Sequence, residues 1–425
     1  MASIFDSIIE RRSETSSLKW HKFGADVLPL WVADMDFAAP EPVVRALRGR
    51  VEHGVYGYDN APPALAEVIC ERMQRLYGWT VKPEEITFLS GIVSGFNIAC
   101  RAFCKPGGGV LVQTPVYPPF LAAPGNHGLR LQTADLAARR EGAVLRYEVD
   151  FDAMERAATA DTGLFIVSHP HNPVGIEFRP DTLRRMAEFA VARGMVLCSD
   201  EIHCDLLLDE GLKHVPAAML SPEIAARCVT LMAPSKTFNV PGLACGFAII
   251  QNPELRHAYR RALAGIVPDV NAMGFVGALA AYGRECDGWL EELRAYLRGN
   301  RDFLAEFVRR ELPEFAVTAP EATYLAWMDC RGGNGVAVGR CGGGAVETQN
   351  AECRTQNAER ATRNTQHATR FGGVSPFEFF LREAKVAFSD GAAFGKAGEG
   401  FVRINFGCPR SRLEEALEKV KRSLR

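Results

Sequence analysis

Six short apolar runs recur between residues 86 and 250 with helix-length intervals between them, and this alternation restricts the fold more than any other feature of the chain. The runs are ITFLS (86–90), GVLVQTP (109–115), LFIVS (164–168), MVLCSDEI (195–202), CVTLMA (228–233) and CGFAII (245–250). Strands that alternate with helices form a parallel α/β sheet covered on its faces. The interval DTLRRMAEFAVARG, 181–194, shows why: Leu183, Met186, Ala187 and Ala190 fall on one helical face. Asp181 is placed to cap its start and Gly194 to close it, which predicts a crossover helix between neighbouring strands.

The flanks differ. LPLWVADMDF, 28–37, is apolar apart from Asp34 and Asp36, which are expected to cap the helix that should follow Pro40 and Pro42. In GVYGYDNAPPAL, 54–65, glycines and prolines surround Tyr56 and Tyr58, as in a loop that presents an aromatic hydroxyl. After about residue 285 the pattern turns helical, with WLEELRAYLRGNRDFLAEFVRREL (289–312), followed by FAVTAP and TYLAWMDC as a strand pair. Residues 331–373 combine a glycine-rich run with a near-repeat of TQNAE and almost no apolar side chains. Such a segment buries too little surface to offset its ordering entropy, so a largely disordered insert is expected.

Charge and composition remove several function classes. Lys plus Arg number 49 against 51 Asp plus Glu, a net charge of -2, so no global field draws in nucleic acid or an anionic membrane. The twelve cysteines form no CxxC pairs, and several lie inside strand-like runs, which fits reduced thiols in a cytoplasmic protein without a metal site. No secretion signal and no transmembrane span are expected. Small-molecule or protein partners are expected instead.

Polar residues collect at the C-terminal ends of the predicted strands, where open parallel sheets bind ligands. Asn172 follows LFIVS, Asp200 follows MVLCS, and Ser235 and Lys236 follow CVTLMA. An amine at the rim of a core strand is partly desolvated, which favours the neutral form that condenses with carbonyl compounds. Singly, each has a structural explanation: Lys236 as a surface lysine, Asp200 and Ser235 as helix caps, Asn172 as a turn former. After ITFLS, the sequence GIVSGFN opens a helix whose free N–H groups suit phosphate.

Read together, WVADMDF, GVYGY, TPVYPPF, HNPVG, SDEIHCDL, APSKTFN and RINFGCPR resemble, in order from 31 to 410, a fold-type I pyridoxal phosphate enzyme of the class I/II aminotransferase superfamily. The resemblance is specifically to the MalY/PatB branch of C–S β-lyases. It implies the PLP-dependent transferase fold: a large α/β domain at 46–284 with a mostly parallel sheet, and a smaller α+β domain at 285–425 that residues 1–45 join. It implies that Lys236 carries pyridoxal phosphate covalently and later moves the Cα proton. Asp200 would pair with the pyridinium nitrogen, Asn172 donate to the ring oxygen, and Tyr117 and Ile202 pack on the two ring faces. The phosphate would lie at Gly91 and Ile92 with Ser235 nearby, and Tyr58 would reach the phosphate of a second subunit, so a homodimer with shared active sites is implied. Arg403 would bind the substrate α-carboxylate, with Trp31 and Asp34 beside it.

Three departures stand out. His203 replaces the tyrosine usual in aminotransferases of the wider superfamily, a habit of the lyase branch. A second basic phosphate ligand is missing near Ala244, and His169 stands where asparagine is common. The expected activity is β-elimination of L-cystathionine or related S-substituted cysteines, with an aminotransferase as the first alternative. A non-catalytic, cofactor-binding regulatory partner is the second, although no DNA-binding helix-turn-helix precedes residue 28 and Lys236 and Asp200 are intact.

Overall fold

The computed structural model describes residues 3–13, 15–332 and 371–425. The insert expected at 331–373 lies, from 333 to 370, outside the described residues. Strands in chain order are β1 (Leu28–Pro29), β2 (Ile86–Leu89), β3 (Gly109–Thr114), β4 (Arg130–Asp135), β5 (Ala137–Glu141), β6 (Val144–Glu148), β7 (Thr162–Ser168) and β8 (Val196–Asp200). They continue with β9 (Cys228–Met232), β10 (Gly246–Ile249), β11 (Ala316–Thr318), β12 (Leu325–Asp329), β13 (Val386–Ala387), β14 (Ser389–Asp390) and β15 (Phe401–Asn405).

Seven strands form the large sheet in the order β2-β10-β9-β8-β7-β3-β4. All neighbours are parallel except at β10, which runs antiparallel to both β2 and β9. Helices cover both faces, so the central strands are apolar throughout and their alternate residues feed two separate cores. Leu111, Phe165, Val167, Leu197 and Phe247 enter one, and Val110, Val112, Leu164, Ile166, Cys198 and Leu231 the other. The crossover helix spans Pro180–Ala192, and here the predicted cap is corrected: Arg179 is the N-cap, Pro180 takes the first helical position, and Asp181 lies in the first turn. Proline fits that position because its missing N–H has no helical partner to lose. Gly194 follows the helix with φ of 71°, a left-handed conformation glycine adopts freely.

A second, six-stranded sheet runs β14-β15-β12-β11-β6-β5. The hairpin β5–β6 leaves the 46–284 stretch to pair in parallel with β11, so that stretch contributes to both sheets. The long helix Asp287–Glu311 carries Leu290, Leu293, Leu297 and Leu304 on its buried face. Residues 28–29 join the far end of the chain, Leu28 pairing with Val386 and Pro29 with Ala387. Eight of the ten cysteines among the described residues are buried. Among the described residues, no helix is long and apolar enough to cross a membrane.

Candidate active site

After β9 the chain makes one helical turn, Pro234–Thr237, and this turn delivers Lys236. Its Nζ donates to the carbonyl of Ala33 (2.6 Å), which also accepts from the Tyr324 hydroxyl (2.9 Å). Next door, Thr237 donates to Asp205 Oδ2 (3.0 Å), and Asp205 is locked by Arg72 Nη2 (2.9 Å) and by Arg294, which donates to its carbonyl (2.6 Å). The turn that positions the amine is thereby tied to two helices. Burial, and then the Arg403 cation, push the Lys236 amine down to about 8 against the pull of Asp34 and Asp200.

Asp200 ends β8 and is buried; its Oδ1 accepts from the Ile202 amide at 3.2 Å. Burial pushes its carboxyl up to about 7, against the opposing effects of that amide and of Lys236. Asn172, in the loop after β7, accepts on Oδ1 from Arg403 Nη1 (3.0 Å). That bond orients the amide and leaves its NH₂ to donate elsewhere. Arg403 comes from β15 in the second sheet, where Nη2 donates to the Trp31 carbonyl (2.9 Å) and to Ser389 Oγ (3.2 Å). Its Nε is buried without a hydrogen-bond partner.

His203 is buried with Nδ1 likewise unpartnered, packed edge-on to Tyr324. Burial and the Lys236 and Arg403 cations hold it well below its ordinary range, so the ring is neutral. Tyr117 is the N-cap of the helix Pro118–Asn126, within electrostatic reach of Arg403 and Asp200, and burial raises its phenol. Ile202 is partly buried. Gly91 precedes the helix Ile92–Phe103 with no side-chain cap, and a Cβ at Gly91 would meet nothing within 4 Å. Ser235 stands partly buried beside Lys236.

One expectation needs correction and one residue stands apart. Asp34 and Asp36 cap nothing, because the helix Glu41–His53 is preceded by Pro40. Asp36 instead lies buried between Lys19 Nζ (2.9 Å), Trp20 Nε1 (2.9 Å) and Arg11 Nη1 (2.8 Å). Asp34 pairs through Oδ2 with Arg11 (2.7 Å), while its Oδ1 is buried without a partner. Trp31 meets Arg403 through its carbonyl, and its indole donates to the Lys19 carbonyl (3.1 Å). Tyr58 stands fully exposed, unlike the buried cluster around Lys236. Sequence reasoning gave no role to the Ala33 carbonyl, Tyr324, Ser389 or Asp205. Only Asp205 had a local signal, since it lies within SDEIHCDL.

The sequence pattern of the family described as Aminotransferase class I and II matches residues 25–420. The chain belongs to the class I and II aminotransferase family. Within this family it is 34% identical to cystathionine beta-lyase PatB of Bacillus subtilis (strain 168), over 98% of each chain. Among solved structures it is similar to OvoB, at 41% identity and a TM-score of 0.85, covering 99% of this chain and 98% of the other. It is also similar to the PLP-bound C–S lyase from Staphylococcus hominis, at 30% identity and a TM-score of 0.82, covering 99% and 98%. Near-complete overlap at these scores bears out the expected fold-type I class and the resemblance to the MalY/PatB branch within this aminotransferase family.

Proposed function

We propose that the chain is a pyridoxal phosphate-dependent carbon–sulfur β-lyase that cleaves L-cystathionine or related S-substituted cysteines to a thiol, pyruvate and ammonia. The observation that carries this reading is the convergence of Lys236, Asp200, Asn172 and Arg403, drawn from both sheets, in a chain so similar to a cystathionine beta-lyase. The side chains fit the cofactor. Unpartnered polar atoms on His203 and Arg403, an uncapped helix start at Gly91 and a depressed amine are the donor set that a phosphorylated pyridine aldehyde needs.

When bound, pyridoxal phosphate supplies an aldehyde for the amine and an electron-withdrawing ring that accepts the electron pair left at Cα. In this reading Lys236 would hold it, and the same amine, when free, would take the Cα proton on Nζ. Asp200 would pair with the ring nitrogen, and a cation there would offset the effect of burial and keep the carboxylate ionised. Asn172 would donate to the ring oxygen, and Tyr117 and Ile202 would pack on the ring. Gly91 and Ile92 would offer backbone N–H groups to the phosphate, with Ser235 nearby. Arg403 grips the substrate carboxylate beside Trp31 and Asp34, its planar fork matching two oxygens.

The Cβ–S bond then breaks with its electron pair going to sulfur. A thiolate is a competent leaving group because its conjugate acid has a pKa of about 8.5. Water hydrolyses the remaining fragment to pyruvate and ammonia. Tyr58 would serve the site of a second copy in a homodimer. The exposed side chains Val44 and Val51 of the preceding helix and Val55 and Tyr56 of the loop that leads to Tyr58 support such a contact. The test is incubation with L-cystathionine, which should yield pyruvate and homocysteine in equal amounts, with the visible absorption of the loaded protein abolished by Lys236→Ala. Amino transfer that depends on a keto acid, without pyruvate release, would instead identify an aminotransferase.

A further inference from the structure

Beneath the site lies a buried cluster with no part in the chemistry above. His214 is wedged between two carboxylates, with Nδ1 2.9 Å from Glu177 Oε1 and Nε2 2.9 Å from Glu201 Oε2. All three side chains are almost wholly buried. Glu201 is further held by the Ser199 hydroxyl (2.8 Å) and the Ala217 amide (3.0 Å). His169 lies against the pair, its ring centroid 4.5 Å from that of His214 and its Nε2 3.3 Å from Glu177 Oε1. Tyr77 meets the other side of His214 edge-on at 5.6 Å.

The cluster joins the two segments that carry Asn172 and Asp200. Glu177 lies five residues after Asn172, on the same loop. Glu201 follows Asp200 directly, and the Asp200 carbonyl accepts from the His169 amide at 2.8 Å. The order along the cluster is therefore Asn172 loop, Glu177, His214, Glu201, Asp200. We propose that His214, held as an imidazolium between Glu177 and Glu201, is a positioning residue that clasps the Asn172 loop to the end of β8 and sets the spacing of Asn172 and Asp200 around the cofactor ring.

Charge supports the clasp. A histidine with carboxylate oxygens at hydrogen-bond distance from both nitrogens donates from both, and the two acids raise it to about 10 despite burial. His169, in direct contact with Glu177 only, is lowered by burial and stays neutral. The ligand-bearing atoms of His169, Glu177 and His214 fall within 4.8 Å of one another, a spacing that metal sites share. A doubly donating His214, however, has no lone pair for a cation. Removing the imidazolium alone would leave two buried carboxylates facing each other, a costly arrangement that the loops relieve by moving apart.

The inference rests on the proposed cofactor site, and its test reads pyridoxal phosphate affinity on the full chain. His214→Gln should weaken binding by at least about tenfold, because neither acid retains a cation at hydrogen-bond distance. Glu177→Gln with His214→Gln restores the net charge of the original trio and offers an amide chain in its place, so affinity should return to within about threefold of wild type. Loss of ring packing at position 214 would not be rescued by Glu177→Gln. Unchanged affinity in His214→Gln, or no recovery in the double variant, overturns the clasp. Should His214→Gln fail to fold, nitrogen NMR of the labelled wild-type protein decides: His214 protonated on both nitrogens at neutral pH supports the clasp, while a neutral ring or a stoichiometric bound divalent metal overturns it. A wild-type chain that takes up no pyridoxal phosphate removes the cofactor reading and the clasp together, whereas normal loading with an indifferent His214→Gln removes the clasp alone.

Discussion

Burial acts on Lys236 and Asp200 in opposite directions, lowering the amine to about 8 and raising the acid to about 7. The neutral amine is the form that attacks an aldehyde, and with a lowered value it becomes abundant above about pH 8 rather than above the ordinary lysine range near 10.4. Stopped-flow absorbance on cofactor-stripped protein should therefore show uptake of pyridoxal phosphate accelerating up to about pH 8 and levelling beyond it. A rate still climbing at about pH 9.5 would mean an amine of ordinary basicity. Arg403 invites a second test, because Arg403→Lys keeps the charge but loses the planar fork that contacts Asn172, Trp31 and Ser389. KM for cystathionine should rise by about tenfold or more, with a smaller change in kcat. Lys236, Asp200 and Asn172 were legible because each lies at, or within a few residues after, the C-terminal end of an apolar run. The Arg403 contacts were not, since the arginine meets Asn172 across 231 positions and only tertiary packing creates that meeting.

At the scale of elements, the segment 28–37 holds the site together from outside the large sheet. Its carbonyls at Trp31 and Ala33 position Arg403 and Lys236, while Asn239 clasps the backbone of Met35 and Phe37. Beneath it, the Lys19–Asp36 pair is almost fully buried, and without Lys19 the Asp36 oxygen that faces it loses its cation, leaving Arg11 and Trp20 on the other oxygen. Lys19→Met should destabilise the fold by about 3 kcal/mol in urea unfolding, and adding Asp36→Leu should recover part of that loss. Lysine and tryptophan contacts lower the Asp36 carboxyl despite burial, and a lowered acid stabilises the fold above the ordinary carboxylate range. That contribution disappears as pH falls through the lowered value, so the Lys19→Met deficit should shrink in strong acid. The sequence showed two acids in an apolar stretch and suggested capping, the commoner local use; the cations that bind them lie at Arg11 and Lys19, with no periodic signal linking them. Strand direction was equally hidden at β10, because GFAI is buried throughout and reads the same whichever way it runs.

On the scale of the whole molecule, the helix Glu41–His53 and the loop after it present a surface that a lone chain leaves wet. Val44, Val51, Val55, Tyr56 and Tyr58 are all exposed there, and Tyr58 points away from any packing of its own chain. The motif GVYGY made this loop visible in the sequence, but one chain supplies no surface for it to meet. If the proposed homodimer shares its sites, Lys236 and Tyr58 of one site come from different copies, and two inactive variants can complement each other. In a mixed dimer of Lys236→Ala and Tyr58→Ala, one site carries both lesions and the other carries neither. Random exchange places half of the chains in mixed dimers, each with one intact site, so about a quarter of wild-type activity should reappear on mixing. If Tyr58 serves its own chain, every site in every dimer stays defective and mixing restores nothing. Sedimentation or light scattering on the same mixture checks that the copies associate, which separates a failure of sharing from a failure of assembly.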